Sequence, residues 1–236
     1  MSELRLAYYA TFTTTRVNLA AIVAAGIRIL LGPDQLGMLR GYPAVPYALD
    51  NGAWGARNGG AFDADAFWRV LGKWGERRAC PPTSCREPDW IVCPDIVAGG
   101  RASLDLSLRW LPYVRQYGPP LLAVQDGMRP EDVEEYIGPD TGRGGRSDRL
   151  GGCGLFLGGS TAWKWATLPT WAEMARIYRC HLHVGRVNSA RGLAVCRGHG
   201  VTSADGTSAS KFSVNTPKLG RACRGPVQVR MPGPVP

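Results

Sequence analysis

Eight short apolar runs recur along this chain, each stopped by a glycine, a proline or a polar residue, and segments with helical spacing separate most of them. The runs are residues 4–10, 27–31, 45–49, 90–93, 121–124, 155–157, 181–184 and 201–204. Runs this short, bounded by turn residues, read as buried strands. Helices are expected at 17–25, 64–75, 103–113, 130–136, 163–178, 189–197 and 216–222, with Pro169 splitting or restarting the fifth. Phe67, Trp68, Leu71 and Trp74 give the second an apolar face. The fourth opens on a proline followed by acids, which suits the positive end of a helix. The expected fold is α/β: a single-domain (β/α)8 TIM barrel with a short last helix, the alternative being a doubly wound open sheet. The barrel is placed at residues 1–222, with a disordered tail over 223–236 and a polar surface loop over 138–152.

In a barrel of this kind the chemistry sits at the C-terminal ends of the strands. The residues there are Asp50, Asp95, Gln125, Asp126, Gly158, Gly159, Arg186 and Asp205. One aspartate after a strand is most often a helix cap. Three strand-end acids, each beside or one residue from Gly or Pro, weigh against capping for all of them, which stays the alternative. Asp50 and Asp205 meet only if their strands share one sheet or barrel. Two carboxylates facing one pocket are the parts needed for displacement at an anomeric carbon, one attacking and one moving protons. Trp54, beside a glycine turn, either stacks on a flat ligand or packs in the core. Lys164 and Arg186 are candidates for phosphate contacts at the rim, against ordinary solvated charge.

The formal net charge of +9 suggests nucleic acid as a partner, or merely keeps the chain dissolved. Seven cysteines without a C-x-x-C pair indicate free thiols in a reducing cytoplasm, not a disulfide framework or a zinc knuckle. His181, His183 and His199 lack ligand spacing, so they are read as structural or pocket-lining, and neither a metal nor a cofactor is expected. No apolar run approaches the ~18 residues a membrane span needs.

Five segments in order resemble the tRNA-guanine transglycosylase superfamily. Asp50-Asn51-Gly52-Ala53-Trp54 is similar to its DSGG-plus-aromatic motif, and Val124-Gln125-Asp126-Gly127 to its VQGG segment. Leu157-Gly158-Gly159 resembles its strand-end glycine pair, His183-Val184-Gly185 its MGVG turn, and Ser203-Ala204-Asp205-Gly206 the segment bearing its nucleophile. The likeness runs from about Pro43 to Phe212. It implies exchange of guanine for a 7-deazaguanine base, with Asp205 attacking C1′ and Asp50 as general acid and base. It further implies that Asp95, Gln125 and Asp126 lie at the base edge, that Gly158, Gly159 and Gly185 supply backbone contact, and that Trp54 stacks. Whether His183 or Val184 covers the other face stays open. The tRNA enzymes carry three cysteines and a histidine as a zinc site after the nucleophile. Here only Cys223 follows Asp205, and no histidine lies beyond His199. The chain thus looks more like the compact 7-deazaguanine DNA transglycosylases of phages and mobile elements, acting on DNA in the cytoplasm. A tRNA enzyme without zinc, a hydrolase and an idle nucleic-acid-binding barrel are the alternatives.

Overall fold

The computed structural model describes residues 6–33, 35, 45–53, 62–79, 87–138 and 152–224, with side chains omitted for 74–79. Its strands are β1 (Ala7–Thr11), β2 (Arg28–Leu31), β3 (Tyr47–Leu49), β4 (Ile91–Val92), β5 (Pro120–Val124), β6 (Gly154–Leu157), β7 (Leu182–Val184) and β8 (Ser203–Gly206). Between and after them run α1 (Arg16–Ala24), α2 (Ala64–Ala79), α3 (Gly100–Val114), α4 (Thr161–Tyr178), α5 (Ala190–Gly198), α6 (Ser208–Lys211) and α7 (Thr216–Arg224). Every neighbouring strand pair is parallel, and β8 returns to β1 with Tyr9 opposite Asp205, closing an eight-stranded barrel. This pairing excludes the open sheet and establishes the (β/α)8 fold.

The period of two along each strand sorts side chains into two cores. Tyr9, Leu30, Ala48, Trp90, Val92, Leu121 and Ala123 form the barrel interior, with Phe156 packed against them. Their alternates, among them Tyr8, Ile29, Leu31, Leu49, Ile91, Leu122, Val124, Leu155, Leu157 and Val184, belong to the outer core with helix residues such as Leu19, Ile22, Leu104, Leu168, Trp171 and Leu193. At the N-terminal end the interior is closed by a polar plug. Arg28 pairs with Asp89 at 2.8 Å, and the Tyr9 hydroxyl donates to Asp89 at 3.0 Å.

Three expectations change. The helix expected at 130–136 is one 3-10 turn, Pro130–Asp132, followed by turns. In that stretch only Val133 is buried, too little apolar surface to hold a helix against the barrel. Pro169 does not split α4, which runs unbroken past it. Pro169 is exposed, so its ring meets no packed neighbour across the helix surface, and the helix loses only the Trp165 carbonyl's N–H partner. Helix α7 continues to Arg224 and buries Cys223, beyond the boundary expected at 222. Loop residues 139–151, the tail 225–236 and Trp54 lie outside the described residues.

Candidate active site

Continuing the alternation past the strand ends carries Ala48 to Asp50, Ala123 to Gln125, Phe156 to Gly158, His183 to Gly185 and Ser203 to Asp205. Inward-facing positions of five strands therefore turn polar or bare at one end of the barrel, and side-chain contacts connect them.

Asp95, 6% exposed, is gripped on both oxygens. Asn51 donates from Nδ2 to Asp95 Oδ1 at 2.7 Å and to the Cys93 carbonyl at 2.7 Å. Gln125 Nε2 donates to Asp95 Oδ2. Gln125 Oε1 in turn accepts the backbone N–H of Gly159 at 2.7 Å and of Ala98 at 3.1 Å. Burial pushes the Asp95 carboxyl up to about 6, with the Asn51 and Gln125 hydrogen bonds working the other way. Asn51 was missed as a functional position. It is 4% exposed and anchors Asp95 to β4, and its only signal was an amide side chain directly after a strand-end acid.

Asp50, at the end of β3, keeps part of its surface open. Its carboxyl is raised to about 7, first by burial, then by the negative charges of Asp205 and Asp95, against the pull of the Asn51 and Gly52 backbone N–H groups. A carboxyl so placed exchanges its proton near neutral pH, as a general acid and base must.

Asp205 on β8 is 6% exposed. Its Oδ1 accepts from His183 Nε2 at 2.9 Å and from the Arg186 backbone N–H at 3.2 Å. Arg186 has φ +59°, a left-handed turn that aims its N–H back at the carboxylate, while its guanidinium donates to the Gly159 carbonyl. The repulsion that raises Asp50 thus runs between the two acids read as catalytic, at one mouth.

Asp126 has a different role. Its two oxygens accept the Ser160 N–H at 2.7 Å and the Ser160 hydroxyl at 2.5 Å, where Ser160 caps α4. Burial acts upward on this carboxyl, but the Ser160 bonds hold it below the ordinary value. Asp126 is not itself a cap; it holds in place the serine that is. The glycines after β6 are bare for a related reason: a Cβ on Gly158 would come within 2.7 Å of Gln125, and one on Gly159 within 2.5 Å of Asp126. Gly159 also has φ +69°, which only glycine adopts without strain. A Cβ on Gly185 would press on Phe156 at 2.9 Å.

Lys164 departs from the expected rim position. It is 1% exposed and donates to the Gly185 carbonyl at 2.5 Å, 5.4 Å from the Trp165 ring. Burial, then Arg186, lowers its ammonium to about 8. The signal was present: 164, 168, 171, 172 and 175 form the buried stripe of α4.

A cavity of about 50 Å3 between Asp89, Trp90, Leu121, Gly154 and His181 lies at the opposite, N-terminal end of the strands, away from the converging carboxylates. The chemistry, not that cavity, marks the mouth as the candidate site. Among the described residues no group of three His, Cys, Asp or Glu side chains is arranged to hold a metal, and no helix is long and apolar enough to cross a membrane. Compared with models of known protein families and with curated proteins, the chain matches none.

Proposed function

We propose that this barrel is a nucleobase-exchanging transglycosylase that replaces guanine in DNA by a 7-deazaguanine base. Asp205 Oδ2 attacks C1′, the C1′–N9 bond breaks, and the departing guanine takes a proton from Asp50. The incoming base then gives its N9 proton to Asp50 and attacks C1′, which breaks the Asp205 ester and restores the carboxylate. The observation that carries this reading is the pair itself: a carboxyl poised near neutrality beside a second, hydrogen-bonded carboxylate at one barrel mouth. Asp95 and Gln125, already tied together, are proposed to present their remaining hydrogen-bonding capacity to the base edge, with Trp54 stacking on its face.

Charge distribution favours a polyanionic substrate. Residues 179–224 hold eight Lys and Arg and a single acid, the buried Asp205. Arg179, Arg191, Lys211, Lys218, Arg221 and Arg224 are all exposed. Elsewhere on the surface arginines meet acids, as Arg101 does with Asp105 and Asp132, and Arg176 with Glu173. A stacked guanine cannot bring C1′ to Asp205, so the nucleotide must be flipped out or single-stranded, at a cost of roughly a few kcal/mol that phosphate contacts offset.

The test is incubation with guanine-containing DNA or tRNA and labelled guanine, followed by denaturing electrophoresis. Label should enter DNA, and a protein–DNA adduct should form with the native protein and vanish with Asp205→Asn. An adduct that survived that substitution would overturn the assignment. Abasic sites without label exchange would make the enzyme a hydrolase.

A further inference from the structure

Above the polar plug, the barrel interior among the described residues is apolar and aromatic except along one line, which climbs to the mouth. His181 Nε2 lies 2.7 Å from Ser203 Oγ, Ser203 Oγ lies 2.7 Å from His183 Nδ1, and His183 Nε2 lies 2.9 Å from Asp205 Oδ1. The placement follows from register: His183 pairs with Ser203, and alternate residues face inward, 183 on β7 with 181 just before it, and 203 and 205 on β8. The His183 ring is locked from every side. It stacks on Phe156 at 4.9 Å and 19°, meets Trp90 at 4.5 Å and lies 5.9 Å from Tyr9.

The donors in this line can be assigned by elimination. A carboxylate only accepts, so His183 Nε2 carries the proton it shares with Asp205. Burial lowers the pKa of His183, against the opposing effect of Asp205, and lowers that of His181 to about 3, so both rings are neutral. The charged groups acting on them are Asp205 and Lys164 for His183, and Arg28 for His181. A neutral ring with its proton on Nε2 accepts at Nδ1, so Ser203 donates there. Ser203 has one proton, so its oxygen accepts from His181 Nε2–H. Every bond then points the same way, toward Asp205.

We propose that this one-way chain makes His183 a positioning residue. It fixes the imidazole in the Nε2–H tautomer, and that N–H pins one oxygen of Asp205 while the other stays open to the mouth. Among the described residues both bonds to the Asp205 side chain fall on Oδ1 and none on Oδ2. A carboxylate held by one oxygen loses rotational freedom and keeps its attacking lone pairs free, which is the arrangement a nucleophile requires. The role is that of the group that orients a catalytic base in a triad, with donor and acceptor reversed. Its kinetic consequence rests on the transglycosylase reading; the tautomer assignment does not.

Two measurements on the whole chain test it. Imidazole 15N spectra between pH 6 and 8 should show His181 and His183 neutral and protonated on Nε2. Ser203→Ala, which removes the donor at Nδ1, should shift the His183 Nδ1 resonance while Nε2 keeps the proton it gives to Asp205. A protonated Nδ1 or an imidazolium at His183 in the native protein overturns the proposal whatever the activity. In the guanine-exchange assay, His183→Leu, checked for folding by circular dichroism, should lose about 100-fold in kcat with KM little changed. His183→Gln, which keeps an N–H donor, should recover about a tenth of the native rate. Folded His183→Leu with native kcat also overturns it. If the native protein exchanges no base at all, the proposed function falls, and the spectra alone decide the chain.

Discussion

Asp50→Asn should make the protein more stable and less active, and the gain should depend on pH in a defined direction. In the folded state the Asp50 carboxyl is raised from 3.8 to about 7. The folded protein therefore holds more protons than the unfolded chain between those values, and stability falls as pH rises from about 4 to about 7. At about 1.4 kcal/mol per pH unit, the penalty above pH 7 has an upper bound of about 4 kcal/mol. Part of it is repulsion shared with Asp205 and Asp95, so about 2 kcal/mol is the expected net gain on removing the charge. An asparagine oxygen can still accept the Asn51 and Gly52 N–H groups that now reach the carboxylate. For a chain of this length the gain corresponds to about 4–8 °C in Tm. Thermal unfolding of native and variant proteins at pH 8 and pH 4.5 measures it. The difference should be largest at pH 8 and small at pH 4.5, where the native carboxyl is neutral in the fold, and histidine titration cancels because both proteins share it. A variant less stable at pH 8, or equally favoured at both pH values, would refute the claim that Asp50 is held against its preferred charge. On the proposed function the same variant should slow exchange strongly, because Asp50 is the group proposed to move the proton.

Other perturbations separate the remaining parts. Asp95→Ala leaves the Asn51 and Gln125 amides without their acceptor; it should relax the preference for guanine while the covalent adduct still forms, read by competition between bases. Lys164→Met should leave DNA affinity within about twofold by fluorescence anisotropy, since the ammonium is buried against Gly185; a tenfold loss would return it to the rim. Reversing Lys211, Lys218 and Arg221 to Glu should weaken DNA binding and flatten its salt dependence, by a slope of about 0.9 for each phosphate no longer neutralised. A salt titration unchanged from the native protein would remove that face from the interface.

The barrel was legible because two independent periodicities agreed. Strand runs ended in glycine or a polar residue, and helical spacing followed most of them, so only the closure of β8 on β1 had to come from the structure. Asp50 and Asp205 were found by the same rule, as inward positions one step past the last apolar residue. Asp126 falls one residue later, after the inward Gln125 and on the opposite parity, and holds Ser160 at the start of α4; the two kinds of acid occupy neighbouring positions that the sequence alone does not separate. Lys164 was misplaced by treating its charge before its position on the buried stripe of α4. His183 was undervalued because metal spacing was the pattern sought. The pattern that mattered spans two strands, where His181 and His183 alternate on one and Ser203 and Asp205 on the next.

The electrostatic arrangement bears on why the mouth is acidic in a basic protein. Three carboxylates at the strand ends would repel a phosphate backbone if all were ionised. Burial raises Asp50 to about 7 and Asp95 to about 6, so near neutral pH the mouth carries less negative charge than its composition implies. The histidine chain stays neutral and adds no positive charge to attract a phosphate inward. On the proposed function, attraction falls to exposed cations of residues 179–224; Arg191 and Lys211 lie on helices that follow the mouth ends of β7 and β8, whereas Arg179, Arg221 and Arg224 stand at the C-terminal ends of α4 and α7, toward the other end of the barrel. On the same proposal, phosphates would stay outside while the uncharged base and the sugar carbon enter, the division that cutting a C1′–N bond needs. Raising the pH through 7 should undo it, because ionising Asp50 places a second charge beside Asp205. DNA binding by the native protein should therefore weaken between pH 6 and pH 8, and Asp50→Asn should weaken less over that range. Anisotropy titrations of both proteins at constant ionic strength decide the matter, and parallel curves for the two would show that Asp50 does not gate the approach of DNA.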